Sequence, residues 1–303
     1  MSSSDMTVIA GPSSPELAAG IARQLGAGLV SAELRVFSDG ESKIRLLAGA
    51  KKNKCVVVQS TYPPTDSHLL QAMMIAKKCA DDGAQVCAVI PYLAYARQDR
   101  AFLEGEVATI ALVARLLEAA GAHSVVTVDM HSQIGLSYFK NITNVSSIPL
   151  LAAHAKAMKL HSPLAVSPDA GGAARAQEFA RLLGTEMVAL KKTRDRTTGE
   201  VTIDPEVDAS VSGRDAILVD DMISSGGSIV KAAELLKKEG ANRIYAMCAH
   251  ALLIGDAAKN IMAAGVQDIV ATNSIPGKHA KVDLAPALAQ AAMAAFAGKK
   301  QEA

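Results

Sequence analysis

The chain has 303 residues, half of them apolar, with a formal net charge of +1 and no tryptophan. That length supports two domains of ordinary size, with cores built from Ala, Val, Leu, Ile and Met because aromatics make up only 3%. The balanced charge argues against nucleic-acid or membrane-surface partners held by bulk electrostatics. Cys55, Cys79, Cys87 and Cys248 show no metal-ligand spacing. Cys55 and Cys87 lie in apolar strand-like runs, so both read as buried free thiols. No signal-peptide pattern and no apolar run long enough to span a bilayer is found, and a reduced, cytoplasmic protein is the expectation.

Apolar strands alternate with amphipathic helices along the chain, which predicts an α/β protein with mostly parallel sheets. Thr7–Ala10 reads as a strand, and Ser14-Pro15-Glu16 opens a helix with Ser as the cap and Pro in the first turn. Phe37-Ser38-Asp39-Gly40-Glu41 is a turn between two strand-like pieces. Cys55–Gln59 reads as a strand and Asp66–Asp82 as a helix with Leu69, Met73, Ala76 and Ala80 on one face. Gln85–Ile90 is a strand, Tyr92–Arg100 a polar loop, Val107–Ala120 a helix and Ser124–Val128 a strand that runs into Asp129-Met130-His131-Ser132.

The pattern then begins again. Leu164–Ser167 is a strand, Pro168–Gly172 a loop and Gly172–Leu183 a helix. The run Lys191–Glu200 reads as exposed and flexible. Ala216–Val219 is a strand, Ile229–Glu239 a helix and Arg243–Ala249 a strand. Leu284–Ala297 is a closing helix whose packing partner the sequence does not decide. Strand, loop, helix, Gly, strand thus occurs twice, from Cys55 to Ile90 and from Ala216 to Ala249. We expect two duplicated domains, residues 1–147 and 148–303, joined near Asn144–Pro149.

The loops of the two copies differ in chemistry. In the second, Val219 ends an apolar run and Asp220-Asp221 follow, then Met222-Ile223 and Ser224-Ser225-Gly226-Gly227-Ser228, which open the helix. Small residues let backbone N–H groups converge, and the helix N-terminus adds partial positive charge, so a phosphate fits there. The carboxylates suit sugar hydroxyls. The combination suggests a sugar phosphate, and the string resembles the phosphoribosyl-diphosphate loop of type I phosphoribosyltransferases. In the first copy, Ser60-Thr61-Tyr62-Pro63-Pro64-Thr65 has two prolines without N–H donors and no glycine, which makes a poor cradle.

Further motifs narrow the resemblance. Ser14–Ala18, Phe37–Glu41, Gln59-Ser60-Thr61, Pro91-Tyr92 with Tyr95–Asp99, Thr127–His131, Val166–Gly172 and Val219–Ser228 occur in order along nearly the whole chain. Together they resemble the ribose-phosphate pyrophosphokinase, or phosphoribosyl-diphosphate synthetase, family. The resemblance implies two type I phosphoribosyltransferase-like domains. It implies transfer of the β,γ-diphosphate of ATP to O1 of ribose 5-phosphate, with Mg2+. It places ATP against Phe37, Asp39, Gly40, Glu41, Arg97 and Gln98. His131 and Asp169 match metal and catalytic positions. Asp220 and Asp221 match the ribose carboxylates, and Ser224, Ser225, Gly226, Gly227 and Ser228 the 5-phosphate loop. Lys192 and Arg194 match the cations of a mobile catalytic loop. A homo-oligomer built from dimers, with the ATP site shared across the interface, is also implied.

Three departures from the family pattern stand out. Ser224-Ser225 replaces Asp-Thr and Ser228 replaces Thr, which leaves the backbone donors and a hydroxyl in place. Ala101–Glu106 replaces a more basic run, which puts phosphate activation and ADP inhibition in doubt. Thr193 replaces an Arg between Lys192 and Arg194. Two other readings compete. A phosphoribosyltransferase would share the Asp220 loop but has no use for an ATP site at Phe37–Glu41 and Arg97-Gln98. A non-catalytic regulatory paralogue should have lost loop or metal residues, yet Lys192, Arg194, His131 and Asp169 are all present.

Overall fold

A computed structural model describes residues 5–48, 53–194, 201–205 and 211–297, with the backbone alone at 191–194 and 201–205. The chain divides into two compact units, Met1–Ser146 with Asp283–Ala303, and Ser147–Val282.

The first unit contains β1 (Met6–Ala10), α1 (Pro15–Leu25), β2 (Gly28–Val36), β3 (Ser42–Leu46), β4 (Lys54–Val58), α2 (Thr65–Asp81) and β5 (Gln85–Val89). It continues with α3 (Thr109–Ala119), β6 (Ala122–Val128), α4 (Gln133–Leu136) and β7 (Ile142–Val145). Its sheet runs β3-β2-β1-β4-β5-β6-β7. Only the β2–β3 pair is antiparallel.

The second unit contains α5 (Ile148–Ala157), β8 (Leu164–Ser167), α6 (Ala173–Leu183), β9 (Glu186–Arg194), β10 (Val201–Pro205) and β11 (Asp215–Ile223). Then come α7 (Gly227–Lys238), β12 (Arg243–Ala251), α8 (Ala257–Ala263), β13 (Val266–Thr272) and β14 (Ala280–Val282). Its sheet runs β10-β9-β8-β11-β12-β13-β14. Only β9–β10 is antiparallel. Position by position, the two sheets have the same order, so the duplication read from one repeated segment extends over both units.

Both faces of each sheet are covered, as parallel sheets require. Along β11, Ala216 and Leu218 join one apolar cluster with Ile229, Ala232, Ala233 and Leu236 of α7. Ile217 and Val219 join another with Leu151 of α5 and Phe179 of α6. This is the period-2 alternation of a strand buried on both sides. In the first unit Ile9, Cys55 and Val57 pack with Ile75 and Cys79 of α2. That inward face of α2 is carried by Ala72, Ile75, Ala76 and Cys79 beside Leu69, whereas Met73 and Ala80 are only half-buried. All four cysteines are free and buried.

The closing helix α9 (Ala285–Phe296) belongs to the first unit, whereas the sequence had assigned 148–303 wholly to the second domain. The physical reason is an intimate fit against α1. A Cβ on Gly20 would lie 2.8 Å from the Ala285 methyl, so the glycine lets the two helices approach. No helix among the described residues is long and apolar enough to cross a membrane.

Candidate active site

β11 runs two residues past Asp221, because β12 continues alongside it with Asp220 opposite Cys248, Met222 opposite His250 and Ile223 opposite Ala251. The carboxylates therefore sit within a strand, where the sequence reading had them follow one. A rigid ladder fixes their backbone. Asp221 is buried and Asp220 half-buried. The α6 guanidinium bridges them, with Arg175 Nη1 3.3 Å from Asp220 Oδ1 and 3.7 Å from Asp221 Oδ1. The Asp221 N–H also donates to Asp220 Oδ1 at 2.8 Å. Burial first, then the neighbouring Asp221 carboxyl, pushes the Asp220 carboxyl up to about 7, against the pull of Arg175.

Ser224 to Ser228 leave this strand and enter the 12-residue helix α7. Gly226 is its N-cap, in the left-handed region at φ 78°, with no side-chain capping bond. A Cβ there would also meet Ile261 Cδ1 at 2.8 Å, so backbone conformation and packing both require glycine. The result is a helix N-terminus whose first turn holds no acidic residue. Such an end favours an anion.

β8 lies beside β11, with Val166 opposite Leu218, and ends at the same edge. Asp169 follows it and caps a 3-10 turn, accepting from the Gly172 N–H at 3.2 Å. Ser167 Oγ donates to the Asp169 carbonyl at 2.6 Å. A Cβ on Gly172 would lie 2.8 Å from Ser167 Oγ and 3.5 Å from Arg175 Nη1, so this turn abuts the guanidinium. Asp169, Arg175, Asp220, Asp221 and the Ser224–Ser228 loop therefore gather at one end of one sheet.

Lys192 and Arg194 lie on β9, where Lys192 pairs with Ile203 and Arg194 with Val201 of β10. Their backbone is thus part of an antiparallel pair, while their side chains and residues 195–200 lie outside the described residues. The sequence reading of Lys191–Glu200 as one loop is corrected to this extent: ladder bonds carry the strand to Arg194.

The first unit carries the other candidates. Phe37–Glu41 form the tip of the β2–β3 hairpin, closed by Phe37 N–H to Glu41 O at 2.9 Å and Gly40 N–H to Phe37 O at 3.0 Å. Gly40 takes φ 91°, and Asp39 Oδ1 accepts from the Glu41 N–H at 3.1 Å. The Phe37 ring is exposed, with the Arg35 guanidinium carbon 4.8 Å from its centroid. Arg97 and Gln98 are exposed in the loop after β5. Gln98 is tied down by Thr109 Oγ1, which donates to its Oε1 at 2.5 Å. His131 is exposed just beyond β6. Asp129 before it takes φ 36°, an uncommon conformation for a non-glycine residue, and the Asn144 amide oxygen accepts from Met130 N–H at 2.9 Å.

Sequence reasoning missed Arg175. A signal was available: a cation in the first turn of a helix is electrostatically disfavoured, so it points to a carboxylate partner. Among the described residues no three His, Cys, Asp or Glu side chains converge as a metal cage.

Residues 6–121 match the family described as the N-terminal domain of ribose phosphate pyrophosphokinase, and residues 200–287 match the phosphoribosyl synthetase-associated domain. The chain is 35% identical to the ribose-phosphate pyrophosphokinase of Sulfurisphaera tokodaii, covering 94% of this chain and 99% of that one. It is 38% identical to that of Methanothermobacter thermautotrophicus (93% and 98%) and 37% identical to that of Vibrio cholerae (95% and 95%). The crystal structure of phosphoribosylpyrophosphate synthetase from Mycobacterium smegmatis superposes with a TM-score of 0.85 at 27% identity, covering 97% of this chain and all of that one.

Proposed function

The chain belongs to the ribose-phosphate pyrophosphokinase family, which transfers the β,γ-diphosphate of ATP to O1 of ribose 5-phosphate, and from that premise we propose how its residues share the work. The observation that carries the reading is the acidic pair Asp220 and Asp221 beside a glycine-opened helix N-terminus at one sheet edge. Asp220 and Asp221 accept the ribose hydroxyls. The backbone N–H groups of Ser224 to Ser228 hold the 5-phosphate, with the Ser228 hydroxyl beside them. Arg175 shields the carboxylates from each other.

In the first unit the exposed Phe37 ring stacks on adenine, Asp39 and Glu41 meet the nucleoside, and Arg97 and Gln98 hold the ATP side. Asp169 and His131 are the residues that would offer donors to Mg2+, which would supply charge neutralisation for the transferring group. The anomeric hydroxyl attacks the β-phosphorus in line, and AMP leaves. Charge builds on phosphoryl oxygens, so positioning and cations dominate the catalysis. Lys192 and Arg194 close over those oxygens and exclude water, which suppresses hydrolysis of ATP.

The protein works in the cytoplasm as a homo-oligomer built from dimers, with Phe37–Glu41 of one protomer completing the ATP site of the next. Glu41→Ala and Lys192→Ala proteins, each inactive alone, regain activity after dissociation and mixing under this scheme. Mixed dimers that stay inactive refute sharing. The reaction itself is tested by following AMP formation from ATP and ribose 5-phosphate with and without Mg2+. No AMP from the purified protein with Mg2+ overturns the assignment, and full activity after exhaustive chelation overturns the metal.

A further inference from the structure

Between the exposed Arg97, Gln98 and Arg100, Asp99 is buried. A buried carboxylate must be bonded, and its partners identify what it holds. Ser132 Oγ donates to Asp99 Oδ2, and Arg100 Nε lies 3.6 Å from Asp99 Oδ1. Ser132 is the residue after His131 and the N-cap of α4, and its Oγ accepts from the Gly135 N–H at 3.1 Å. One hydroxyl is thereby used in both directions, in the chain Gly135 N–H to Ser132 O–H to Asp99. Tyr138, just past α4, donates its hydroxyl to the Asp99 carbonyl at 2.9 Å. Residue 99 is thus gripped by side chain and backbone from both ends of the segment that begins at His131.

We propose that Asp99 is a positioning residue that fixes the Arg97–Gln98 loop relative to His131. The inference rests on the reading of those three residues as ATP-side and catalytic groups. Residues 91–108 contain no helix or strand to set that spacing, and Asp129, before His131, is held at φ 36°. Val128 N–H donates to the Pro91 carbonyl at 3.2 Å where the two segments leave the sheet, and beyond that point the buried Asp99–Ser132 bond ties one loop to the other. It touches no reacting atom.

The decisive comparison is Ser132→Ala against Ser132→Thr. Loss of the hydroxyl releases the grip, and a misplacement on the order of 1 Å costs up to ~100-fold. Ser132→Ala should lower kcat/KM for ATP by about ten- to hundredfold. KM for ribose 5-phosphate should stay within about twofold, since that site's residues lie in the second unit. Thermal midpoint should fall by about a few degrees, since a buried carboxylate loses its donor and α4 its cap, and Ser132→Thr should restore most of the rate and of the stability. Asp99→Asn should resemble Ser132→Ala, and the double variant should be no worse than the worse single one. Where Asp99→Asn fails to fold, the two Ser132 variants decide alone. Wild-type kinetics in Ser132→Ala, additive losses, or an equal rise in KM for both substrates would overturn the proposal. Arg97→Ala is the control for the underlying reading. If it leaves KM for ATP unchanged, the ATP assignment itself fails. If it raises KM while Ser132→Ala does nothing, only the positioning role fails.

Discussion

The loops after β4 and β11 occupy equivalent places in two sheets of identical strand order, yet they offer opposite chemistry. After β4 the backbone donors are spent internally. Ser60 N–H goes to Ser14 Oγ at 3.0 Å and Thr61 N–H to the Tyr92 carbonyl at 2.9 Å. Thr61 Oγ1 donates to that same carbonyl and accepts from the Ala94 N–H, both at 2.8 Å. Pro63 and Pro64 have no N–H to give. After β11, Gly226 turns left-handed and starts a helix with no side-chain cap. The shared topology supplies a strand-to-helix corner. The supply of N–H groups decides whether that corner can hold a phosphate.

The two antiparallel hairpins repeat the lesson. β2–β3 and β9–β10 are topological equivalents. The β2–β3 tip carries Phe37, Asp39 and Glu41, proposed above to meet the nucleoside, while Lys192 and Arg194 lie on β9, paired with Ile203 and Val201 of β10. Breaking the second should give the largest effect in the molecule. Lys192→Ala and Arg194→Ala should each lower kcat by about 10³-fold or more, in line with cations that stabilise phosphoryl-transfer transition states. KM for both substrates should move only a few-fold, because the interaction is made in the transition state. A large KM rise at unchanged kcat would make these residues ground-state binders and dissolve the contrast between the hairpins.

Next come the strand carboxylates, which have no acidic counterpart after β4. Asp220→Asn and Asp221→Asn should each cost about 1.5–3 kcal/mol in kcat/KM for ribose 5-phosphate, the worth of a charge-assisted hydrogen bond. Direct titration should show ATP affinity unchanged, and equal losses for both ligands would count against the assignment. The pH dependence has a definite sign. With Asp220 held near 7, ribose 5-phosphate binding should strengthen as pH rises through that value and the carboxylate forms. Stability runs the other way. Between the ordinary carboxylate value and about 7 the folded chain holds a proton that the unfolded chain has lost. This group's contribution to stability therefore falls as pH rises through that window. Arg175→Ala removes the group that pulls Asp220 down, so the acid limb of kcat/KM should move to higher pH. An unmoved limb would mean that Arg175 does not tune the pair.

Much of this was legible in the residues. The apolar runs at Leu164–Ser167 and Cys55–Gln59, and the Ser/Gly string at 224–228, announce strands and a cradle through local composition alone. The length of β11 was not legible, because Asp220 and Asp221 are poor strand formers held there by β12. The role of Ser14 was also hidden. It reads as a helix cap, but no capping bond forms, and its hydroxyl serves Ser60 across the sheet instead. The place of Arg175 in the first turn of α6 calls for an acidic partner, but which one emerges only when α6 and β11 are brought side by side. The allegiance of α9 is a packing decision between Gly20 and Ala285, which no local pattern encodes.

A smaller effect should follow from the corner glycine. Gly226→Ala forces a Cβ into the left-handed region and against Ile261, at a cost of about 1–2 kcal/mol. Part should appear as lost stability and part as a several-fold rise in KM for ribose 5-phosphate, since the N–H groups lose alignment. If stability alone falls, Gly226 serves packing only.

The smallest catalytic effect belongs to the first loop, and it is the sharpest test of the contrast. Thr61 is fully buried, and its hydroxyl satisfies Tyr92 O and Ala94 N–H at once. Thr61→Val keeps the shape and leaves both backbone groups without that partner, which should cost about 1–3 kcal/mol of unfolding free energy. KM for ribose 5-phosphate should stay within about twofold, a change of ~0.4 kcal/mol, while KM for ATP is read separately because Tyr92 and Ala94 belong to the segment that carries Arg97 and Gln98. Chemical denaturation and initial rates on the same preparation check both halves. A stable Thr61→Val protein with a raised KM for ribose 5-phosphate would show that the β4 corner still meets a ligand. In that case duplication would have left two working corners rather than one cradle and one closed strut.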